Sequence, residues 1–188
     1  MVATVANGLD FRESDAELPS FGEAVEANKA MVFSIGWHFL RDRTAAEELA
    51  QDVFLQLYRH WAGMQSPGHI VFWLRKATSN RAIDMVRKRK SRAETSLEEA
   101  AEPTVLERMQ DSLLSSYLER MVASLPEKQR MAIVLRYQED MDPNEIAKVL
   151  DMKASSVKTL IARGLELLRA KTGRRLGTAE YRNSHDTV

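Results

Sequence analysis

Apolar residues recur at three- and four-residue steps along most of this 188-residue chain, and no alternating apolar run is long enough to predict a strand. The chain is therefore expected to be all-α, and its length suits one domain or two small ones. The first helix is predicted over 21–41, with Val25, Met31, Val32, Ile35, Trp37, Phe39 and Leu40 as its apolar set. Thr44 followed by Glu47 fits a capping box for a second helix. Its buried stripe reads Ala46, Leu49, Ala50, Val53, Leu57 and Trp61, with Phe54 at the margin. Ser66-Pro67 opens a third helix that turns Trp73 and Leu74 inward and runs to near Arg87.

Beyond Arg92 the sequence becomes small, acidic and interrupted by Pro103, with too few large apolar groups for a core of its own. The expected organisation is an extension over 1–20, a helical domain over 21–92, an acidic linker over 93–104, a second helical domain over 105–171 and a tail over 172–188. Within the second domain, Ser124-Leu125-Pro126-Glu127 offers a cap, an early proline and a third-position acid, and Asp142-Pro143-Asn144-Glu145 repeats that logic. A short helix over 143–150, a turn over 151–154 and a longer helix from Ser155 to about Lys171 have the layout of a helix-turn-helix.

The net charge is zero, with 27 cationic and 27 anionic side chains. The charges are nonetheless sorted along the chain. From Arg75 to Arg92 eight cations face the single anion Asp84, a net of +7; from Ala93 to Arg120 seven acids outweigh two bases, a net of −5; from Met152 to Arg175 seven cations face only Glu166, a net of +6. Sign asymmetry between segments points to separate partners more than the neutral average does. With no cysteine, nothing calls for an oxidising compartment. The first residues lack the basic start and apolar core of a signal peptide, and no stretch approaches the ~18 apolar residues of a membrane span. A cytoplasmic protein without membrane insertion is expected.

Enzymatic readings find little support. His38, His60, His69 and His185 are scattered without metal-ligand spacing, and no phosphate-binding loop, dinucleotide fingerprint or nucleophile elbow is present. No metal and no cofactor is expected. Three surfaces are more informative. In the last helix Val157, Leu160, Ile161, Leu165 and Leu168 mark the core side, leaving Lys158, Thr159, Ala162, Arg163, Glu166 and Arg169 outward and Ser155 and Ser156 at the start. Such a face either enters a major groove or merely solvates the helix; the capped short helix ahead of it favours DNA. The basic segment 75–92 shares its helix with Trp73 and Asn80 and follows a loop, Gly63 to His69, suited to holding an extruded base. It reads either as a single-strand track or as a solubilising face, and Trp73 reads as core rather than as a stacking platform. The outer side of the second helix carries Glu48, Gln51, Asp52, Leu55 and Arg59. A leucine among acids there suits a docking face for a basic, partly apolar helix, or is a stray apolar residue on a solvated face.

In this order the three surfaces resemble those of the extracytoplasmic-function group of the sigma-70 family, over about 21–171. AAEELAQDVFLQLYRHW resembles the family's core-polymerase-binding helix, FWLRKATSNRAIDMVRKRKSR its promoter-melting segment, and LPEKQRMAIVLRYQEDMDPNEIAKVLDMKASSVKTLIARGLELLR its upstream-element helix-turn-helix. The resemblance implies a non-enzymatic specificity subunit whose partners are core RNA polymerase, through the clamp coiled coil of the largest subunit and the flap region, promoter DNA, and an anti-sigma factor. It implies that Glu48, Gln51, Asp52 and Leu55 meet polymerase. Asn80, Arg81, Asp84, Arg87 and Lys88 would follow the melted downstream element, with the loop residues Met64, Gln65, Ser66 and His69 around a flipped base. Ser155, Ser156, Lys158, Thr159, Ala162 and Arg163 would face the upstream element. Two positions depart from the family pattern. Lys153 stands where a capping serine is common, which moves the expected cap to Ser155, and Gly164 replaces a common alanine at a helix cost of about 1 kcal/mol. A stand-alone helix-turn-helix regulator accounts for the second domain but gives the Leu55 face no purpose, and a helical enzyme or scaffold leaves all three surfaces incidental.

Overall fold

The computed structural model of the chain describes residues 17–95 and 119–183, with side chains described for 17–92 and 119–172. Every regular element among them is helical. In chain order these are α1 (Phe21–Leu40), α2 (Arg43–Arg59), a single 3₁₀ turn (Trp61–Gly63), α3 (Pro67–Thr95), α4 (Glu127–Tyr137), α5 (Pro143–Val149) and α6 (Ala154–Asn183). Residues 119–123 are also helical.

Local chemistry explains most of the boundaries. Ser20 caps α1 in a reciprocal box with Glu23, and Arg41 closes the helix in the left-handed region at φ 56°. The cap of α2 is Asp42, not Thr44: its extended backbone (φ −143°, ψ 114°) aims the carboxylate at the Ala45 amide. The hydroxyl of Ser66 accepts from the His69 amide at 3.1 Å and starts α3 as expected. Ser124 does not cap α4. Its hydroxyl donates back to the Met121 carbonyl, and Pro126 occupies the N-cap position without a side-chain cap. Asp142 and Glu145 do form the expected box on α5, with Pro143 in the first turn. Ser155 lies inside the first turn of α6, which begins at Ala154, so it is not the cap either. α3 runs to Thr95 and α6 to Asn183, each past the point expected from the sequence. Most of the acidic segment and the start of the second helical group lie outside the described residues.

α1, α2 and α3 pack into a three-helix unit around Val32, Ile35, Phe39, Leu49, Val53, Leu57, Ile70 and Leu74, nearly all without solvent contact. Ala45 joins this core and Ala50 lies at its edge. α1 and α2 approach closely at Gly36, where an added Cβ would fall 2.8 Å from Leu49 Cδ2. In the second half, Met131, Leu135, Ile146, Val149 and Val157 join α4, α5 and α6. Gly164 is a site of close approach too: a Cβ there would meet Ile133 Cδ1 at 2.6 Å. Its apparent departure thus has a packing reason, although the clashing atom is the end of a flexible side chain. The two domains pack against each other. Their buried residues form one continuous apolar cluster, with α4 seated on α1 and α3 and α5 against α3.

Candidate nucleic-acid interface

The helix-turn-helix is built as the spacing predicts. α5 ends at Val149, Asp151 takes φ 50°, and the Met152 amide donates to the Ala147 carbonyl at 2.9 Å. A short polar side chain tolerates this left-handed position better than most. Val157 is fully buried, and Leu160 and Ile161 pack on the core. The other side of α6 then presents Ser155, Lys158, Thr159, Ala162 and Arg163 to solvent, with Ser156 half-buried. The Thr159 hydroxyl donates to the Ser155 carbonyl at 3.0 Å, so its methyl is the freer contact group.

The loop before α3 presents less than its sequence suggests. Met64 is only 8% exposed and belongs to the core, and Ser66 is 6% exposed and occupied in capping. In this arrangement neither reaches a base; Gln65 and Gly68 are exposed and His69 is half-buried. Burial also pushes the His69 pKa down, favouring the neutral imidazole. Trp73 packs against the core with its ring 5.7 Å from that of His60, in keeping with a structural role.

On α3 itself Asn80, Asp84, Arg87 and Lys88 are exposed and share one side of the helix, with Arg81 partly covered. The +7 segment is, however, extensively paired within the chain. At least six of its eight cations meet described carboxylates: Arg75 with Glu139, Lys76 with Asp151, Arg81 with Asp52, Arg87 with Asp84, Arg89 with Asp42 and Lys90 with Glu127. Three of those acids belong to the second half. Sequence reasoning missed these acids because each lies 37 to 75 residues from its partner or, for Glu139, beyond α4. Burial raises the Glu139 pKa, opposed by Arg75 and by a hydrogen bond with Ser34.

On α2, Leu55 is 56% exposed, and Tyr58 beside it is 65% exposed. Glu48 and Gln51 flank Leu55 in the open, whereas Asp52 is half-buried against Arg81. The outward leucine is thus real, and Tyr58 extends its apolar patch. Sequence reading overlooked Tyr58, although its position one turn from Leu55 on the same face was the available signal. Arg130 was also unforeseen. It is 7% exposed, its guanidinium carbon lies 4.8 Å from the centre of the Phe39 ring, and its Nε and Nη2 have no hydrogen-bond partner. Burial lowers its pKa to about 10, which leaves it charged at neutral pH. Among the described residues no cluster of three or more His, Asp or Glu side chains is placed to hold a metal ion, and no helix is long and apolar enough to cross a membrane.

Two family models match the chain: sigma-70 region 2 over residues 24–92 and sigma-70 region 4 over residues 115–168. The ECF RNA polymerase sigma factor SigE of Mycolicibacterium smegmatis is 31% identical over 167 residues, covering 86% of this chain and 65% of that protein's length. SigW of Bacillus subtilis, also an ECF RNA polymerase sigma factor, is 28% identical over 163 residues, covering 80% of this chain and 87% of its own. The fold is similar to that of the sigma factor RpoE of Bartonella quintana in complex with the anti-sigma factor NepR, with a TM-score of 0.69 at 18% identity over 80% of this chain and 94% of that one. It is also similar to CnrH in complex with the cytosolic domain of CnrY, with a TM-score of 0.61 at 20% identity over 82% and 88% of the two chains.

Proposed function

The chain belongs to the extracytoplasmic-function group of the sigma-70 family, and from that membership we propose that it is a cytoplasmic promoter-specificity subunit of RNA polymerase. It performs no covalent chemistry and holds no cofactor. The observation that carries this reading is the presence in one short chain of both sigma regions, each with its outward face intact: Leu55 on α2 and Lys158, Thr159, Ala162 and Arg163 on α6.

Glu48, Gln51, Leu55 and Tyr58 offer polymerase an apolar spot ringed by acid and amide, suited to a basic helix such as the clamp coiled coil. Asp52 joins them once its pair with Arg81 is exchanged. α6 enters the major groove of the upstream element, where Arg163 reads a base edge and Lys158 neutralises phosphate. Asn80, Arg81, Asp84, Arg87 and Lys88 line the unpaired downstream strand, with Gln65 and His69 at a flipped base; Met64 and Ser66 support that loop from within. The segment 93–104 ties the two DNA-binding halves together, so that each raises the effective concentration of the other. RpoE of Bartonella quintana is bound to the anti-sigma factor NepR and CnrH to the cytosolic domain of CnrY, and an anti-sigma factor is proposed as a partner of this chain as well.

Transcription by core polymerase plus this protein on a mixed promoter library tests the reading. Defined start sites are expected, and Arg163→Ala is expected to lose about 1–3 kcal/mol of discrimination at the upstream element. Absence of both polymerase association and start-site selection overturns it.

A further inference from the structure

The middle of the outward face of α6 is made of methyl groups rather than hydrogen-bonding ones. Thr159 is exposed and lies about 160° round the helix from the fully buried Val157, which puts it at the centre of that face. Its hydroxyl is turned back onto the Ser155 carbonyl at 3.0 Å, a bond that selects one of the two χ1 rotamers open to a helical threonine. The γ-methyl is left as the outer group. Ala162, also exposed, follows at i+3 and sets its β-methyl on the same side. Ser155, Lys158 and Arg163 surround the pair in the open. Among the described residues no carboxylate bridges to Lys158 or Arg163, so both cations are available to phosphate or to a base edge. Thr159 and Ala162 between them have no free donor.

Only one group on the base edges of the major groove is apolar, the C5-methyl of thymine. From the paired methyls we infer that α6 identifies the upstream element in part by two thymines, one met by Thr159 and the other by Ala162. Side chains at i and i+3 stand about 5–6 Å apart at Cβ, and successive bases of one strand rise by about 3.4 Å. The two thymines are therefore adjacent or separated by one base pair. A methyl-to-methyl contact excludes water and favours thymine over uracil, which has the same hydrogen-bonding edge and lacks only the methyl. For one buried carbon group the preference amounts to about fourfold. The surrounding cations fix the register of the helix on the duplex, and the methyls then sort bases that the cations cannot distinguish. This deepens the function proposed above and rests on it for the identity of the duplex.

The element is first obtained by enriching a random duplex pool with the full chain, alone and with core polymerase. Uracil then replaces thymine at each position of the enriched duplex, a change that leaves the protein unaltered. Two positions are expected at which uracil weakens binding about fourfold each, and about fifteenfold when both are changed. Thr159→Ser, which keeps the hydroxyl and removes the γ-methyl, is expected to erase the thymine preference at one position and leave it at the other. Thr159→Val, which removes the hydroxyl and keeps a methyl, is expected to retain the preference at both. Far-UV ellipticity shows whether each variant keeps its helices, and for any that does not, the uracil duplexes with the unaltered chain decide. Equal binding of thymine and uracil at every position overturns the inference, and start-site selection that persists in that case leaves the proposed function standing. A preference lost in Thr159→Val and kept in Thr159→Ser overturns it too, since the hydroxyl would then be the reading group, as does a pool from which no duplex is enriched in either format. A thymine preference without start-site selection by polymerase counts against the proposed function alone.

Discussion

Leu55 illustrates what a single side chain can disclose. It departs from the apolar stripe of α2, and the structure leaves it 56% exposed. Leu55→Asp is therefore expected to leave helicity and melting temperature nearly unchanged, since surface substitutions usually alter stability by less than about 0.5 kcal/mol, while abolishing co-purification with core polymerase. Normal polymerase binding by that variant would move the interface elsewhere. Asp42 is the converse case, a residue whose role the sequence disguised. Its carboxyl is held below its ordinary pKa first by the Ala45 amide and further by Arg89. A lowered carboxyl stabilises the fold above its unfolded pKa and loses that contribution as pH falls through the folded value. Asp42→Ala is accordingly expected to cost about 1 kcal/mol at neutral pH, and urea unfolding should show the gap closing below about pH 4. Arg130 was illegible for another reason. One arginine in the run RMAIVL reads as the polar side of an amphipathic helix, and only the seat of α4 on α1 makes it a buried cation over Phe39.

At the level of elements, existence and type were legible while starts and stops were less so. Asp42 and Thr44 are both good N-cap residues, and the choice between them depends on Arg41 turning left-handed and leaving Asp42 extended. That is a property of the α1–α2 connection and not of either side chain. α6 passes Lys171, near which its end was expected, and continues through Gly173; a glycine within a helix costs only about 1 kcal/mol and need not end it. Helix contacts were likewise beyond sequence reasoning. Gly36 has no turn to make, yet it allows α1 and α2 to meet over Leu49. Gly36→Val is expected to destabilise the protein by about 1–3 kcal/mol through overpacking, read as a lower urea midpoint with an unchanged slope. An unchanged midpoint would mean that the two helices can separate at little cost.

For the whole molecule, the two helical domains pack against each other and share one apolar cluster. This has a consequence for unfolding. Trp37, Trp61 and Trp73 all lie in the first half, so indole fluorescence follows that half alone, whereas far-UV ellipticity follows both. At low salt the two signals are expected to change together in urea, the mark of a single cooperative transition. Two resolved transitions would show that the halves fold independently. The same packing revises the meaning of the charge pattern, since much of the +7 segment is paired internally.

Periodicity, caps such as Asp142, and the family motifs determined that the chain is helical, that its second domain holds a helix-turn-helix, and which side chains of α6 face outward. These features are local: they depend on residues within a turn or two of one another, and a linear sequence displays them directly. Tertiary structure alone decided that Met64 and Ser66 turn inward, that Arg130 loses its water, and that Glu127, Glu139 and Asp151 reach the cations of α3. Each of those outcomes depends on which helix faces come to rest against each other, and charges far apart in the chain become partners only after the apolar faces have set their distance.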